Sequence, residues 1–354
     1  MNHSPNPPLN HSLNGFLSIN KPMGITAHDC IAKLRKLLKH KKIGHSGTLD
    51  PMATGVLPVG IGQATRLLRF LPEGKSYRAV IRFGILTDTD DITGQVITHH
   101  SAAHLTKEQI QEQLPPLNSQ FIGNITQRPP AYSAIHINGQ RLYDLARQGK
   151  LSPDDLAQIP TRTVNVSAIE ILDWQHTNPD HPELTVQITC GTGTYIRSIA
   201  RDLGACLGTV ATLSALERTS SNGFNLDQTY TFPQLADLIQ TQPLPDLILP
   251  LDSGIAHLPN ITLPPEIAFR WCQGRAALAE TLNLSTSQSM PTDQADQPYI
   301  RVYDESAQLL GVGQWQTPDP APNQDSSDDS CDLSSEQSPP QPLQLQPIVV
   351  LQPK

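Results

Sequence analysis

Cysteine pairs and long apolar runs are what this 354-residue chain has least of. Its five cysteines, Cys30, Cys190, Cys206, Cys272 and Cys331, are scattered, odd in number and form no C-x-x-C. They suggest neither a disulfide framework nor a thiolate zinc site, and a reducing cytoplasm is the expected location. No stretch approaches the length of apolar sequence needed to cross a bilayer. Residues 1–14 are rich in Pro, Asn, His and Ser without an apolar centre, so a signal peptide is not expected and a disordered lead-in is. No internal repeat is evident.

A formal charge of -8 argues at first sight against a nucleic-acid partner, but the charge is unevenly spread. Lys21 to Arg82 holds twelve Lys or Arg against three acids, Asp29, Asp50 and Glu73. Thr317 to Pro342 holds six acids and no base, which is most of the deficit. That acidic stretch is Asp, Ser, Gln and Pro with little to bury, and it is expected to be a disordered insert. The length allows one large core over about 15–242 and a smaller second domain over about 254–354.

One stretch orders the rest: Gly44-His45-Ser46-Gly47-Thr48-Leu49-Asp50-Pro51-Met52-Ala53-Thr54-Gly55-Val56-Leu57. It holds a single carboxylate, Asp50, among glycines and before a proline, directly after the most basic run in the chain. Pro51 disfavours helical angles at Asp50, so the acid sits on a fixed, extended piece of backbone. In isolation such a stretch is a surface turn. Its surroundings are not ordinary, because Lys33, Arg35, Lys36, Lys39, Lys41 and Lys42 precede it with no acid between them. Such a cluster is costly to assemble without an anion nearby, and a phosphate backbone is the expected one.

Around this stretch the pattern predicts a strand at Gly15 to Ile19 and a helix from Thr26. There Thr26 and Asp29 have capping-box spacing, and Ile31, Leu34, Leu37 and Leu38 form one stripe. A buried strand over Val56 to Ile61, a short helix over Gln63 to Leu71 and an alternating strand from Tyr77 follow. Thr87-Asp88-Thr89-Asp90-Asp91 resembles a D-x-D metal site, but it lacks further ligands and is expected to be a polar turn. Gln127 to Arg141 combines prolines, an Asn138-Gly139 hairpin signal and cations beside Tyr132, with a helix over Leu142 to Gln148 after it. Strands are expected at Val164 to Ile171, Leu184 to Cys190 and Ala211 to Glu217, and in the second domain near Tyr299 to Tyr303, Leu309 to Trp315 and Ile348 to Leu351.

The order and identity of several segments resemble the TruB-type tRNA pseudouridine synthases of bacterial type. The segments are Asn20-Lys21-Pro22-Met23-Gly24, the Gly44 to Leu57 string, Lys75-Ser76-Tyr77, Pro130-Ala131-Tyr132-Ser133-Ala134, Leu142 to Gly149 and Gly193-Thr194-Tyr195-Ile196-Arg197-Ser198-Ile199. The resemblance implies an α+β pseudouridine synthase fold. Its central sheet would be mixed and largely antiparallel with flanking helices, followed by a small, mostly β, PUA-like C-terminal domain. It also implies isomerisation of uridine 55 in the T loop of tRNA, without metal or organic cofactor. No obligate protein partner or membrane is implied, and a monomer is expected.

By the same resemblance Asp50 is the catalytic carboxylate, Arg197 its ion-pair partner and Tyr77 the ring against the flipped base. Tyr195 adds a second ring, Leu216 walls the pocket, and His45 meets RNA near the vacated stack. A guanidinium beside Asp50 is expected to lower its pKa. If residues 195–197 are extended, Tyr195 and Arg197 share one side. Lys21, Lys36, Lys39 and Lys41 are candidate RNA contacts. Tyr132, Arg141 and Arg147 belong to an RNA-gripping insertion over about 125–150.

Two other functions are compatible with a basic cleft: a non-catalytic RNA-binding or tRNA-folding protein, and a guide-RNA-dependent relative. The first has no need of Asp50, Tyr77 and Arg197 together. The second is disfavoured by the lack of a Lys/Arg-rich tail.

Overall fold

The computed structural model describes residues 13–114, 120–133, 135–137, 140–149, 158–282, 299–317 and 343–351. Most of the lead-in, Asn138-Gly139 and nearly all of the acidic insert lie outside these. Leu13 is already buried, and Asn14 Oδ1 accepts from the Gln63 backbone N–H at 2.7 Å. The chain divides into two compact units, Met1–Ile248 and Leu249–Lys354.

The first unit begins with β1 (Gly15–Lys21) and α1 (Ala27–Leu37), then β2 (Ile43–His45), β3 (Thr54–Ile61), β4 (Lys75–Phe83), β5 (Ile85–Thr87) and β6 (Val96–His99). It continues through α2 (Lys107–Gln113), β7 (Gly123–Gln127), β8 (His136–Ile137), β9 (Gln140–Arg141), α3 (Leu142–Arg147), β10 (Arg162–Gln175) and β11 (Glu183–Cys190). It closes with α4 (Ile196–Cys206), β12 (Ala211–Ser221), β13 (Phe224–Asn225) and α5 (Phe232–Thr241). The main sheet runs β1-β3-β12-β4-β11-β10-β7, with β2 on β3 and β13 on β12. All of these pairings are antiparallel except β3 with β12, so the sheet is mixed. The fold is α+β.

Local signals explain the elements that frame the site. Thr26 caps α1 by accepting from the Asp29 N–H, and the Asp29 carboxylate accepts from the Thr26 N–H in return, a complete capping box. The stripe of α1 packs Ile31 and Leu34 against Leu17 and Ile19 of β1 and Val59 and Ile61 of β3. Each such buried aliphatic contributes roughly 1.5–3 kcal/mol. A second core sets Ile196, Ile199, Ala200 and Leu203 of α4 with Tyr77, Ala79, Ile81 and Phe83 of β4. The helix expected over Gln63 to Leu71 is instead two 3-10 turns, Gly62–Arg66 and Leu68–Phe70, closed by i to i+3 bonds.

In the second unit, β14 (Asn260–Leu263), α6 (Pro265–Cys272), β15 (Ala277–Leu278), β16 (Tyr299–Asp304), β17 (Leu309–Gln316) and β18 (Gln344–Val350) give, among the described residues, a five-stranded sheet backed by α6. Trp271 of α6 is fully buried among Leu263, Val302 and Leu345.

Candidate active site

The Asp50 loop is a chain of backbone groups held from both ends. On one side the Lys21 ammonium donates to the carbonyls of Ile25 at 2.7 Å, Pro22 at 2.9 Å and Pro51 at 3.3 Å. Lys21 was expected at an RNA surface. It is fully buried, and its charge is consumed in fixing the residue after Asp50. On the other side Arg218 of β12 donates from Nε to the Val56 carbonyl at 2.7 Å and from Nη2 to the Gly47 carbonyl at 3.0 Å. Gly55, at φ +101°, lies where a Cβ would be 2.3 Å from the Arg218 carbonyl oxygen. Only glycine lets β3 run this close beside β12.

Asp50 faces Arg197, the second residue of α4. Arg197 Nε lies 3.0 Å from Oδ2, and Nη2 donates to Oδ1 at 3.3 Å, a two-pronged grip. The Arg197 side chain is 6% exposed and that of Asp50 36%, so the guanidinium is enclosed while the carboxylate keeps an open side. The rest of the fork is also used: Nη1 donates to the Thr89 carbonyl at 3.0 Å and lies 3.6 Å from Asp91, and Nη2 donates to the Tyr132 carbonyl at 3.0 Å. A cation in the first turn of a helix opposes the macrodipole. Two carboxylates and two carbonyls offset that here.

Burial is the larger influence on the Asp50 carboxyl and pushes its pKa above the ordinary aspartate value. Arg197 opposes the shift and Asp91 adds to it. This corrects the expectation that the guanidinium would lower it: loss of water outweighs the ion pair.

A cavity of about 280 Å³ opens in front of this pair. Its wall includes Thr48, Leu49 and Asp50 from the loop, Lys75 and Tyr77 from β4, and Tyr132 and Ser133. Gly193 to Arg197 and Leu216 of β12 complete it. Asp50, Tyr77, Tyr195, Arg197, Tyr132 and Leu216, scattered over 167 positions of sequence, thus meet in one place. Tyr195 is not on an extended run with Arg197. It is the extended N-cap of α4, at φ -100° and ψ 108°, and Arg197 is already helical. Both still line the cavity because the chain turns between them.

His45 sits on β2, outside the residues lining the cavity, with burial and then Arg218 lowering its pKa. Lys36, Lys39 and Lys41 are exposed at the end of α1 and beyond it. Arg141 ends β9 and Arg147 ends α3, and their side chains lie outside the described residues.

Four supporting residues escaped the sequence reading. Asp91 completes the cage of Arg197. Asp90 takes Arg201, one turn further along α4, at 2.7 Å. The D-x-D stretch is therefore the polar turn expected, but one that anchors the helix carrying Arg197. Its signal was the i, i+4 spacing of Arg197 and Arg201. Gln127, 1% exposed, accepts from the Tyr195 N–H at 3.0 Å and donates to its carbonyl at 3.2 Å. Arg218 is the fourth. Among the described residues no three His, Cys, Asp or Glu are placed to hold a metal ion, and no helix is long and apolar enough to cross a membrane.

Family models match three consecutive parts of the chain. Residues 35–196 match the TruB family pseudouridylate synthase N-terminal domain, 197–256 the tRNA pseudouridylate synthase B C-terminal domain, and 259–319 the pseudouridine synthase II TruB C-terminal model. Proteins named tRNA pseudouridine synthase B are 46% identical over 86% of this chain and 96% of theirs in Trichormus variabilis. In Gloeothece citriformis the identity is 49%, over 86% of this chain and 91% of that one. The chain belongs to the TruB family. Among solved structures, a Cbf5-Nop10-Gar1 complex matches with a TM-score of 0.62 at 24% identity, covering 85% of this chain and 78% of that one. An H/ACA RNP bound to a substrate RNA containing 2'-deoxyuridine matches at a TM-score of 0.59 and 23% identity, covering 85% and 77%. At such identities the likeness is one of fold. The TruB matches span both the Asp50 loop and the helix that grips it.

Proposed function

We propose that this TruB-family enzyme isomerises uridine 55 in the T loop of tRNA to pseudouridine, with Asp50 as the group that engages the reacting nucleotide. The observation that carries the proposal is the Asp50–Arg197 ion pair in a cavity wall beside Tyr77. Breaking N1–C1′, turning the uracil and joining C5 to C1′ needs a carboxylate fixed at one spot and a space that retains the free base. The loop clamps at Lys21 and Arg218 supply the first, and the cavity supplies the second. A raised pKa makes the Asp50 carboxylate a stronger nucleophile once ionised.

The uridine must leave its stack to enter, at a cost of a few kcal/mol. Tyr77 and Tyr195 offer ring faces that offset it, Leu216 an apolar wall, and His45 a contact where the base departed. Lys36, Lys39 and Lys41 would meet phosphates, as would Arg141 and Arg147 beside Tyr132. The five-stranded second unit is taken as a PUA-like RNA-binding domain. The enzyme would work in the cytoplasm as a monomer, without guide RNA, protein partner or cofactor.

The decisive experiment maps pseudouridine in a bulk tRNA pool treated with wild-type protein or Asp50→Asn. Modification at position 55 should appear with the first and be absent with the second, while tRNA binding is retained. Tritium release from C5-labelled uridine at the wild-type rate by Asp50→Asn would remove Asp50 from the chemistry.

A further inference from the structure

We propose that Lys75 is a catalytic residue whose ammonium, backed by Arg218, faces the negative charge that the uracil ring takes on when the N1–C1′ bond opens. The inference rests on the Asp50 chemistry proposed above.

Lys75 and Tyr77 lie two apart on β4 and therefore on one face, and both line the cavity. Across the ladder, Arg218 of β12 stands opposite Tyr77. Arg218 is fully buried, and its Nη1 has no hydrogen-bond partner among the described residues. The Lys75 ammonium likewise has neither a hydrogen bond nor an ion pair among them. The two cationic ends converge on Gly47, whose φ is +74°. A Cβ there would lie 3.2 Å from Arg218 Nη1 and 3.3 Å from Lys75 Nζ.

Two cations so placed, with no carboxylate on either, are costly in a half-dry site. Burial and the Arg218 charge accordingly lower the Lys75 pKa. The other buried cations of the site each have partners: Arg197 has Asp50 and Asp91, Arg201 has Asp90, Lys21 has three carbonyls, and Arg218 has two carbonyls and the Tyr77 hydroxyl beside it. The Lys75 end is open to the cavity and lacks an anion, so the anion is one that arrives with the substrate.

The reaction supplies one. When N1–C1′ breaks, the bonding pair leaves with N1, and the ring holds a negative charge shared with O2 and O4. C1′ becomes electron-poor and is taken by the Asp50 carboxylate. The C5–C1′ bond then forms with an electron pair from the ring as the C1′–Asp50 bond breaks and its pair returns to the carboxylate; the C5 proton is lost to water and N1 takes one up from water. Charge balances without any proton passing through Lys75, whose contribution is electrostatic and greatest between the two bonds. A backbone phosphate has the same anionic chemistry, but Lys75 shares the wall with Asp50 and Tyr77, the groups proposed to hold the base.

The test compares Lys75→Met and Lys75→Arg on a T stem-loop RNA, measuring the dissociation constant, its salt dependence and the single-turnover rate at saturating enzyme. Because Lys75 has no partner to strand, both variants should melt like wild type. Lys75→Met should slow single turnover by roughly 10²- to 10³-fold with the dissociation constant within about two-fold of wild type, and Lys75→Arg should recover most of the rate. Weaker binding with a salt slope lower by about one and an unchanged saturated rate would assign Lys75 to a phosphate and overturn the proposal. An unchanged rate and affinity would overturn it too. If Asp50→Asn is inactive while Lys75→Met keeps the wild-type rate, only this inference fails. If Asp50→Asn is active, the Asp50 chemistry fails with it.

Discussion

Two buried arginines hold the Asp50 loop, and they do so in opposite ways. Arg197 is enclosed by carboxylates and carbonyls, and its whole fork is engaged. Arg218 holds two backbone carbonyls and lies beside the Tyr77 hydroxyl, with no carboxylate on it and Nη1 without a hydrogen-bond partner among the described residues. The first is electrically closed, so its removal strands negative charge. The second is electrically open, so its charge remains available to whatever enters. Position in the fold enforces the contrast: Arg197 sits where α4 meets the acidic turn before β6, whereas that turn bonds β12 at Leu213, and Arg218, five residues further on, pairs with Gly55 and Tyr77 instead.

Methionine at each position is the sharpest way to break this comparison. Arg197→Met leaves Asp50 and Asp91 without their shared guanidinium, which should cost about 3–5 kcal/mol of stability. It should also remove activity by three orders of magnitude or more, since the carboxylate is no longer aimed. Arg218→Met strands two carbonyls but relieves a buried charge, so a loss of about 1–3 kcal/mol is expected. Thermal melts of both variants check the order. Equal losses would mean that Asp50 and Asp91 do not depend on Arg197 for compensation.

A smaller effect separates the two charges on Arg197. Asp91 raises the Asp50 pKa. In the proposed reaction Asp50 attacks as the carboxylate, so activity is expected to climb as pH rises through that pKa. Asp91→Asn removes the repulsion, lowers the pKa and should move the acid limb of the single-turnover profile to lower pH. A limb that stays in place or moves upward would show that Asp91 does not act on Asp50 through charge.

Much of this was legible in the sequence, where the signal was local. The capping box at Thr26, the alternation of β4 and the Asp50 string each lie within a few residues of one another. What the sequence hid was pairing at a distance. Nothing near Arg197 announces Asp50, and only the family resemblance joined them. Nothing near Leu216 or Arg218 says that β12 inserts between β3 and β4, because a ladder partner leaves no local mark. Lys21 misled for a related reason, as a lysine among turn residues looks solvated until three carbonyls are seen to enclose it. For the Asp50 pKa, the resemblance anticipates the ion pair, whereas nothing in the sequence anticipates the burial.

The exposed lysines form the third case of the comparison, cations open to water. Replacing Lys36, Lys39 and Lys41 with Ala should weaken tRNA binding and reduce its salt slope by roughly two to three if each meets one phosphate. Lys39 allows a finer test, because it follows the end of α1 at φ +48°, in the left-handed region where helices usually place glycine. A lysine held there carries backbone strain of about 1 kcal/mol. Lys39→Gly relieves the strain and deletes the charge, so the variant should melt slightly higher while its salt slope falls by about one. If the melt rises and the slope does not change, Lys39 ends a helix and nothing more. If both move, the chain accepts a strained backbone at the position that carries a charge to the RNA.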